Sequence, residues 1–153
     1  HARAAAGNAW YSARILAMST TLSGKANLIS WASRLIAAAI MGMTLFAKFT
    51  AAPEAVALFE SLGVEPWGRI ATGTLEALAV ILLLIPRSAA MGGALTMGLM
   101  GGAVMSHLTK LGIEVGEDGG AMFVMAVVTL AAGAVTAWLH RSELPIVGGR
   151  FQG

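Results

Sequence analysis

Residues 70–108 read Ile70-Ala-Thr-Gly-Thr-Leu-Glu-Ala-Leu-Ala-Val-Ile-Leu-Leu-Leu-Ile85, then Pro86-Arg-Ser88, then Ala89-Ala-Met-Gly-Gly-Ala-Leu-Thr-Met-Gly-Leu-Met-Gly-Gly-Ala-Val-Met-Ser-His-Leu108. Each apolar run approaches the roughly 20 residues that a helix needs to cross a hydrocarbon core, the first once Trp67 to Arg69 join it. Only three residues separate the runs, and Pro86 cannot continue a helix, so the two segments must fold back as a helical hairpin. Two further runs, 29–49 and 121–139, flank this hairpin. The fold class that follows is all-α: an integral membrane bundle of four helices.

Composition agrees. Of the 153 residues, 57% are hydrophobic and only 12% are charged, and the mean hydropathy is +0.75, outside the soluble range. The bilayer is therefore the chain's first partner. The absence of cysteine excludes disulfides and thiol chemistry on this chain, so any sulfur chemistry needs a partner. A net charge of +2 does not imply nucleic acid, because the basic residues are scattered and no aromatic platform accompanies them. Three segments result: a lead-in over 1–27, the four-span unit over 28–141, and a tail over 142–153. Met18 opens Met-Ser-Thr-Thr-Leu-Ser-Gly-Lys25, a candidate start, which makes residues 1–17 candidates for upstream sequence. No cleavage site follows a short apolar region ahead of the first span, so that span is expected to be retained.

Between the first two spans, Pro53 marks a helix start and Gly63 its stop. Ala55, Leu58, Phe59 and Leu62 share one face and Glu54 and Glu60 lie away from it, the pattern of a short interfacial helix. Between the last two spans, Gly116-Glu-Asp-Gly-Gly120 is a polar turn in which Asp118 can cap the fourth span. Calcium would need more oxygen ligands than this turn offers, and no metal site is expected.

Lysine and arginine are retained on the cytoplasmic side of a membrane. Arg3, Arg14, Lys25, Arg34, Arg87, Arg141 and Arg150 fall on one side of the spans; Lys48, Arg69 and Lys110 fall on the other. Six of the eight acidic residues, Glu54, Glu60, Glu65, Glu114, Glu117 and Asp118, join the second group. Seven basic residues against three place both chain ends in the cytoplasm. Trp31, Trp67 and Trp138 stand near span ends as interfacial anchors, and His140, beside Trp138, is expected to be a further interface residue.

Ala90, Ala94, Gly98, Gly102 and Ser106 put a small residue at every fourth position of the third span, and Thr129, Gly133 and Ala137 repeat the device in the fourth. Such stripes let helix backbones approach closely, either inside this bundle, the expected use, or against another subunit.

Glu76 lies seven residues after Arg69, about 10 Å into the bilayer at roughly 1.5 Å per residue. An ionisable group at that depth is paired or functional. Alternating topology brings Lys48, at the end of the first span, and His107, near the end of the third, to the same side. With Thr72 and Ser106 they form the candidate ligand site: Lys48 and His107 donate to a carbonyl or anion and Glu76 accepts or relays a proton. A quinone head group suits such a site in an outer-leaflet cavity, since it arrives through lipid and takes up protons on reduction. The alternative is a Lys48–Glu76 pair that only fixes helix register, with His107 satisfied at the interface. The sequence contains no nucleophile triad, phosphate loop or haem-ligating pair.

Leu45-Phe-Ala-Lys-Phe49, Gly63-Val-Glu-Pro-Trp-Gly68, Gly73-Thr-Leu-Glu76 followed by Leu82-Leu-Leu-Ile-Pro-Arg87, and Ser106-His-Leu-Thr109 with Leu111-Gly-Ile-Glu114 and Asp118-Gly-Gly120 together resemble the DoxX family of small four-span membrane proteins, from about residue 28 to 141. The resemblance implies a bacterial inner-membrane protein with Lys48, Glu76 and His107 as its site positions. The family is named for a subunit linked to thiosulfate:quinone oxidoreduction, and most members have no assigned reaction. Two functions are open: a quinone-binding subunit of a redox-linked complex, or a non-catalytic accessory subunit of a larger membrane complex or homo-oligomer. A small transporter is disfavoured, because inverted repeats and broken helices are not evident.

Overall fold

The computed structural model describes residues 22–143. His1, Arg3, Arg14, the candidate start at Met18, Arg150 and the tail beyond residue 143 lie outside the described residues. Among the described residues there is no strand. The chain forms helices α1 (Gly24–Phe49), α2 (Pro53–Leu62), α3 (Trp67–Leu84), α4 (Ala89–Ser106) and α5 (Ala121–Leu139), with short helical turns at Pro86–Ser88, His107–Leu111 and Arg141–Glu143. All but α2 are long and apolar enough to cross a membrane.

The boundaries follow the local signals. Pro53 opens α2. Gly63 closes it in the left-handed region at φ 78°, while its N–H and that of Val64 bond back to the carbonyls of Glu60 and Phe59, satisfying last-turn acceptors. Trp67 to Arg69 do join the second span, giving α3 its spanning length. Ser88 Oγ donates to the Leu82 carbonyl across the Pro86 turn at 3.0 Å. Asp118 caps α5 as expected: Oδ1 accepts from the N–H groups of Val115 and Gly120, both at 2.9 Å, and Oδ2 accepts from Met122 at 3.0 Å. On α2, Phe59 is buried, Ala55, Leu58 and Leu62 are half-buried, and Glu54 and Glu60 are exposed, so its apolar face is the expected one.

The spanning helices are arranged around the bundle in chain order, α1 against α3, α3 against α4, α4 against α5, and α5 back against α1. The interior is built of small and polar residues. Met41, Ala79, Met100 and Ala126 form one cluster and Ala37, Leu83 and Ala132 another, while Ser30, Ser33, Thr96, Thr129 and Thr136 are also buried. Large side chains such as Leu28, Met43, Phe46, Ile81 and Val124 point outwards. Hydrocarbon solvent explains this distribution: a lipid-facing leucine loses nothing by exposure, and small residues let backbones approach.

The closest approach involves α4, but not through the stripe read from the sequence. A Cβ added to Gly93 would lie 2.7 Å from the backbone nitrogen of Ala137 and 2.8 Å from the carbonyl oxygen of Gly133; one added to Gly92 would lie 2.6 Å from the nitrogen of Leu83. Two consecutive glycines thus serve two neighbours, α5 and α3. Of the expected stripe, Ala90 is buried, whereas Ala94, Gly98 and Gly102 are exposed, and a Cβ on Gly98 or Gly102 would meet open space. The α5 stripe does face inwards: Thr129 is fully buried and Gly133 packs on Thr96 and Gly93.

Candidate functional site

The last turns of α1 place Thr44 and Lys48, four residues apart, on one helix face. Glu76 faces them from α3, one turn above Gly73. Lys48 Nζ lies 2.8 Å from Glu76 Oε2, with side-chain exposures of 13% and 7%, and the single hydrogen of Thr44 Oγ1 is shared between the Met41 carbonyl at 2.9 Å and the same carboxylate oxygen at 3.2 Å. Gly73 leaves room for the lysine stem, since a Cβ there would already touch Lys48 Cβ at 3.5 Å and Phe49 Cζ at 3.4 Å. One turn outward, Arg69 Nη1 donates to the Lys48 carbonyl and Nη2 pairs with Glu65 Oε1 at 2.7 Å. Arg69 thereby satisfies one of the carbonyls that the end of α1 leaves without a partner.

Both bonds to the Glu76 carboxylate reach Oε2. Among the described residues nothing donates to Oε1, and the Lys48 ammonium uses one of its three donors. The site is charge-balanced yet keeps one acceptor oxygen and two donor positions uncommitted.

His107 is buried but engaged elsewhere. Its Nδ1 lies 2.8 Å from the Gly112 carbonyl and its ring meets Phe123 edge-on at a centroid distance of 5.7 Å. The widened turn at His107–Leu111, stopped by Gly112 at φ 83°, brings that carbonyl to the ring. A carbonyl only accepts, so Nδ1 carries the hydrogen and the neutral ring presents Nε2 as an acceptor. The sequence expectation that His107 donates to a ligand carbonyl therefore holds only for the protonated ring. No hydrogen bond joins it to Lys48 or Glu76. The hydroxyls of Thr72 and Ser106 donate to their own helices, to Gly68 at 2.8 Å and to Gly102 at 2.9 Å, as such side chains do when no other acceptor is offered.

A groove of about 740 Å³ opens between α2 and the loop before α5, lined by Pro53, Glu54, Leu58, Lys110, Val115 and Met122 among others. None of the five expected ligand residues lines it. No group of three or more histidine, aspartate or glutamate side chains among the described residues is placed to hold a metal.

At the opposite end the structure builds a second polar cluster that sequence reasoning missed. Ser30 Oγ lies 2.7 Å from His140 Nε2, His140 Nδ1 2.8 Å from Glu143 Oε1, and Ser33 Oγ 2.9 Å from Thr136 Oγ1. His140 is accordingly a buried link between α1 and α5 rather than an interface residue. Ser30 and His140 are 110 residues apart, and neither carries a local signal of the other. Thr44 was also missed, although its spacing from Lys48 was legible.

No curated protein and no solved structure matches the chain. The model of the DoxX-like family matches residues 32–135, a stretch that holds Lys48, Glu76 and His107, and this multi-pass membrane protein belongs to that family.

Proposed function

We propose that this DoxX-like membrane protein serves as a subunit of a redox-linked complex in the bacterial cytoplasmic membrane, with both ends inside, and that its Lys48–Glu76 pair handles a proton for a quinone drawn from the lipid. The observation that carries the reading is the uncommitted valence of a part-buried ion pair: Glu76 Oε1 has no donor among the described residues, and Lys48 Nζ has donors to spare. An ammonium can donate to a quinone carbonyl oxygen, and a carboxyl can deliver a proton to it, once electrons arrive. Reduction to the quinol takes two electrons, supplied by a redox partner subunit, and two protons from water, one relayed through the Glu76 carboxylate, which takes it up and passes it on, and one taken directly at the far quinone oxygen. Glu76→Gln keeps the shape and removes the proton carrier, so protein purified in mild detergent should retain its fold and lose bound or reducible quinone. Retention of quinone at the wild-type level would overturn the reading.

The accessory reading is favoured by one observation, the open face of α4 at Gly98 and Gly102, which suits close contact with another helix. Loss of a co-purifying protein in Gly98→Leu, with quinone content unchanged, would select it. Orientation has its own test. A membrane-impermeant maleimide added to intact cells should label Ser61→Cys and spare Ser142→Cys; the reverse pattern would invert the topology.

A further inference from the structure

Arg34 sits on α1 near the end of the bundle opposite α2, and it is only 2% exposed. Its guanidinium is held on two sides. Nε donates to the carbonyl of Leu83 at the end of α3, and the ring of Trp31 covers the plane at 4.0 Å. The Nη edge is different: Nη2 is buried and has no hydrogen-bond acceptor among the described residues. A buried charged donor without an acceptor is costly, and structures that keep one have a use for it.

The surrounding polar groups do not supply that acceptor, because they are bound to one another. Ser30 is held by His140, Ser33 by Thr136, and Glu143 accepts from His140. The charge of Glu143 acts on Arg34 through space without a hydrogen bond. The same end carries Lys25, Arg87 and Arg141, with Arg141 stacked on Trp138 at 4.8 Å, and Glu143 is the one carboxylate there among the described residues.

We propose that this end of the bundle, which also carries Lys25, Arg87 and Arg141, binds a phosphate oxyanion on the Nη edge of Arg34, where a guanidinium fixed by Leu83 and Trp31 presents a buried donor that has no acceptor among the described residues. The planar fork of arginine matches two oxygens of a phosphate, and a fork already oriented loses little freedom on binding. Basic pockets between spanning helices take anionic lipid head groups in this way. The phosphate belongs either to such a phosphodiester or to a free anion from water.

The test uses the full chain in nanodiscs of phosphatidylcholine alone or with phosphatidylglycerol, at one ionic strength, and inorganic phosphate added to the detergent-purified protein. Melting midpoint and native mass spectrometry are read together. Wild type should retain phosphatidylglycerol, but not phosphatidylcholine, and melt higher with it. Arg34→Lys, which keeps the charge and loses the fork, should bind roughly tenfold more weakly, whereas Arg87→Gln should lower affinity only modestly and leave the lipid preference intact. A shift with inorganic phosphate, absent with the lipid and dependent on Arg34, makes the ligand a soluble anion and sustains the proposal. If Arg34→Lys does not fold, Trp31→Leu replaces it, leaving the guanidinium but removing the ring that fixes its plane. Equal responses of wild type and variant, or no response to either source, would overturn the proposal and leave the Nη edge to water.

Discussion

Arg34 and Lys48 lie towards opposite ends of this bundle, and they are held in opposite ways. Lys48 meets a full counter-charge at 2.8 Å and shares it with Thr44. Arg34 meets a carbonyl and an aromatic ring, with no ion pair among the described residues. A paired cation in low dielectric gains most of its stability from one partner and loses it when that partner goes. A cation held by a dipole and a π face relies on several weaker contacts, none of which neutralises it. The first arrangement locks α1 to α3; the second keeps α1 against α3 while leaving charge over for something else.

The largest expected effect follows directly. Glu76→Leu strands the Lys48 ammonium and should cost about 3–5 kcal/mol, while Lys48→Met combined with Glu76→Leu should return to within about 1–2 kcal/mol of wild type, because an exchanged pair leaves no uncompensated charge. Arg34→Met should cost less than Glu76→Leu, since it removes an incompletely satisfied donor along with its charge. Unfolding of the four proteins in one detergent measures all three differences. Arg34→Met more damaging than Glu76→Leu would break the comparison. Full rescue of both stability and quinone content in the double variant would reduce the Lys48–Glu76 pair to a register device.

Near the Arg34 end, α4 meets α5 backbone to backbone at Gly93. Gly93→Leu must displace the Ala137 and Gly133 backbones and should cost about 1–3 kcal/mol or more, the usual penalty of overpacking. Gly98→Leu, with nothing within 4 Å of its Cβ, should melt within about 0.5 kcal/mol of wild type, as changes away from packed contacts do. Equal losses at the two positions would contradict the helix rotation described here.

That rotation marks the limit of what the residues alone convey. The four spans, the hairpin at Pro86 and the Gly63 stop were legible because each rests on a local rule: run length, a missing N–H, a left-handed turn. The Lys48–Glu76 pair was legible too, since a carboxylate inside an apolar run must find a cation and alternating topology brings the end of α1 beside α3. The inward face of α4 was not. Small residues occupy Ala89, Ala90, Gly92, Gly93, Ala94, Gly98, Gly101, Gly102 and Ala103, so every rotation of the helix offers a stripe, and the choice lies in the matching surfaces of α3 and α5. His107 escaped for a different reason: one widened turn swings the Gly112 carbonyl onto its ring. Arg34 read as a topology marker because an arginine near a span end is expected to reach water. Its capture by Trp31 and Leu83 depends on packing with α3.

The smallest effect concerns the loop at the α2 end, where a carboxylate is held by three backbone N–H groups. The Asp118 carboxylate accepts backbone N–H groups from Met122, Val115 and Gly120, and these bonds, Met122 first, hold its carboxyl below the ordinary carboxylate range. Hydrogen bonds to the charged form have that sign. A depressed folded value means that Asp118 supports the loop fully above the unfolded value, about 3.9, and that the support disappears as pH falls through the lower, folded value. Hydrogen exchange corrected for intrinsic rates should therefore show Val115, Gly120 and Met122 protected from neutral pH down to the ordinary aspartate range and exposed only below it. Asp118→Asn, which cannot accept from all three amides with a full charge, should lose part of this protection already at neutral pH, with the turn at Pro86–Ser88 unchanged. Loss of protection in wild type with a midpoint at or above that of an ordinary aspartate would mean that the three bonds do not favour the charged form, and the contrast with the unpaired Nη edge of Arg34 would then rest on Lys48 and Glu76 alone.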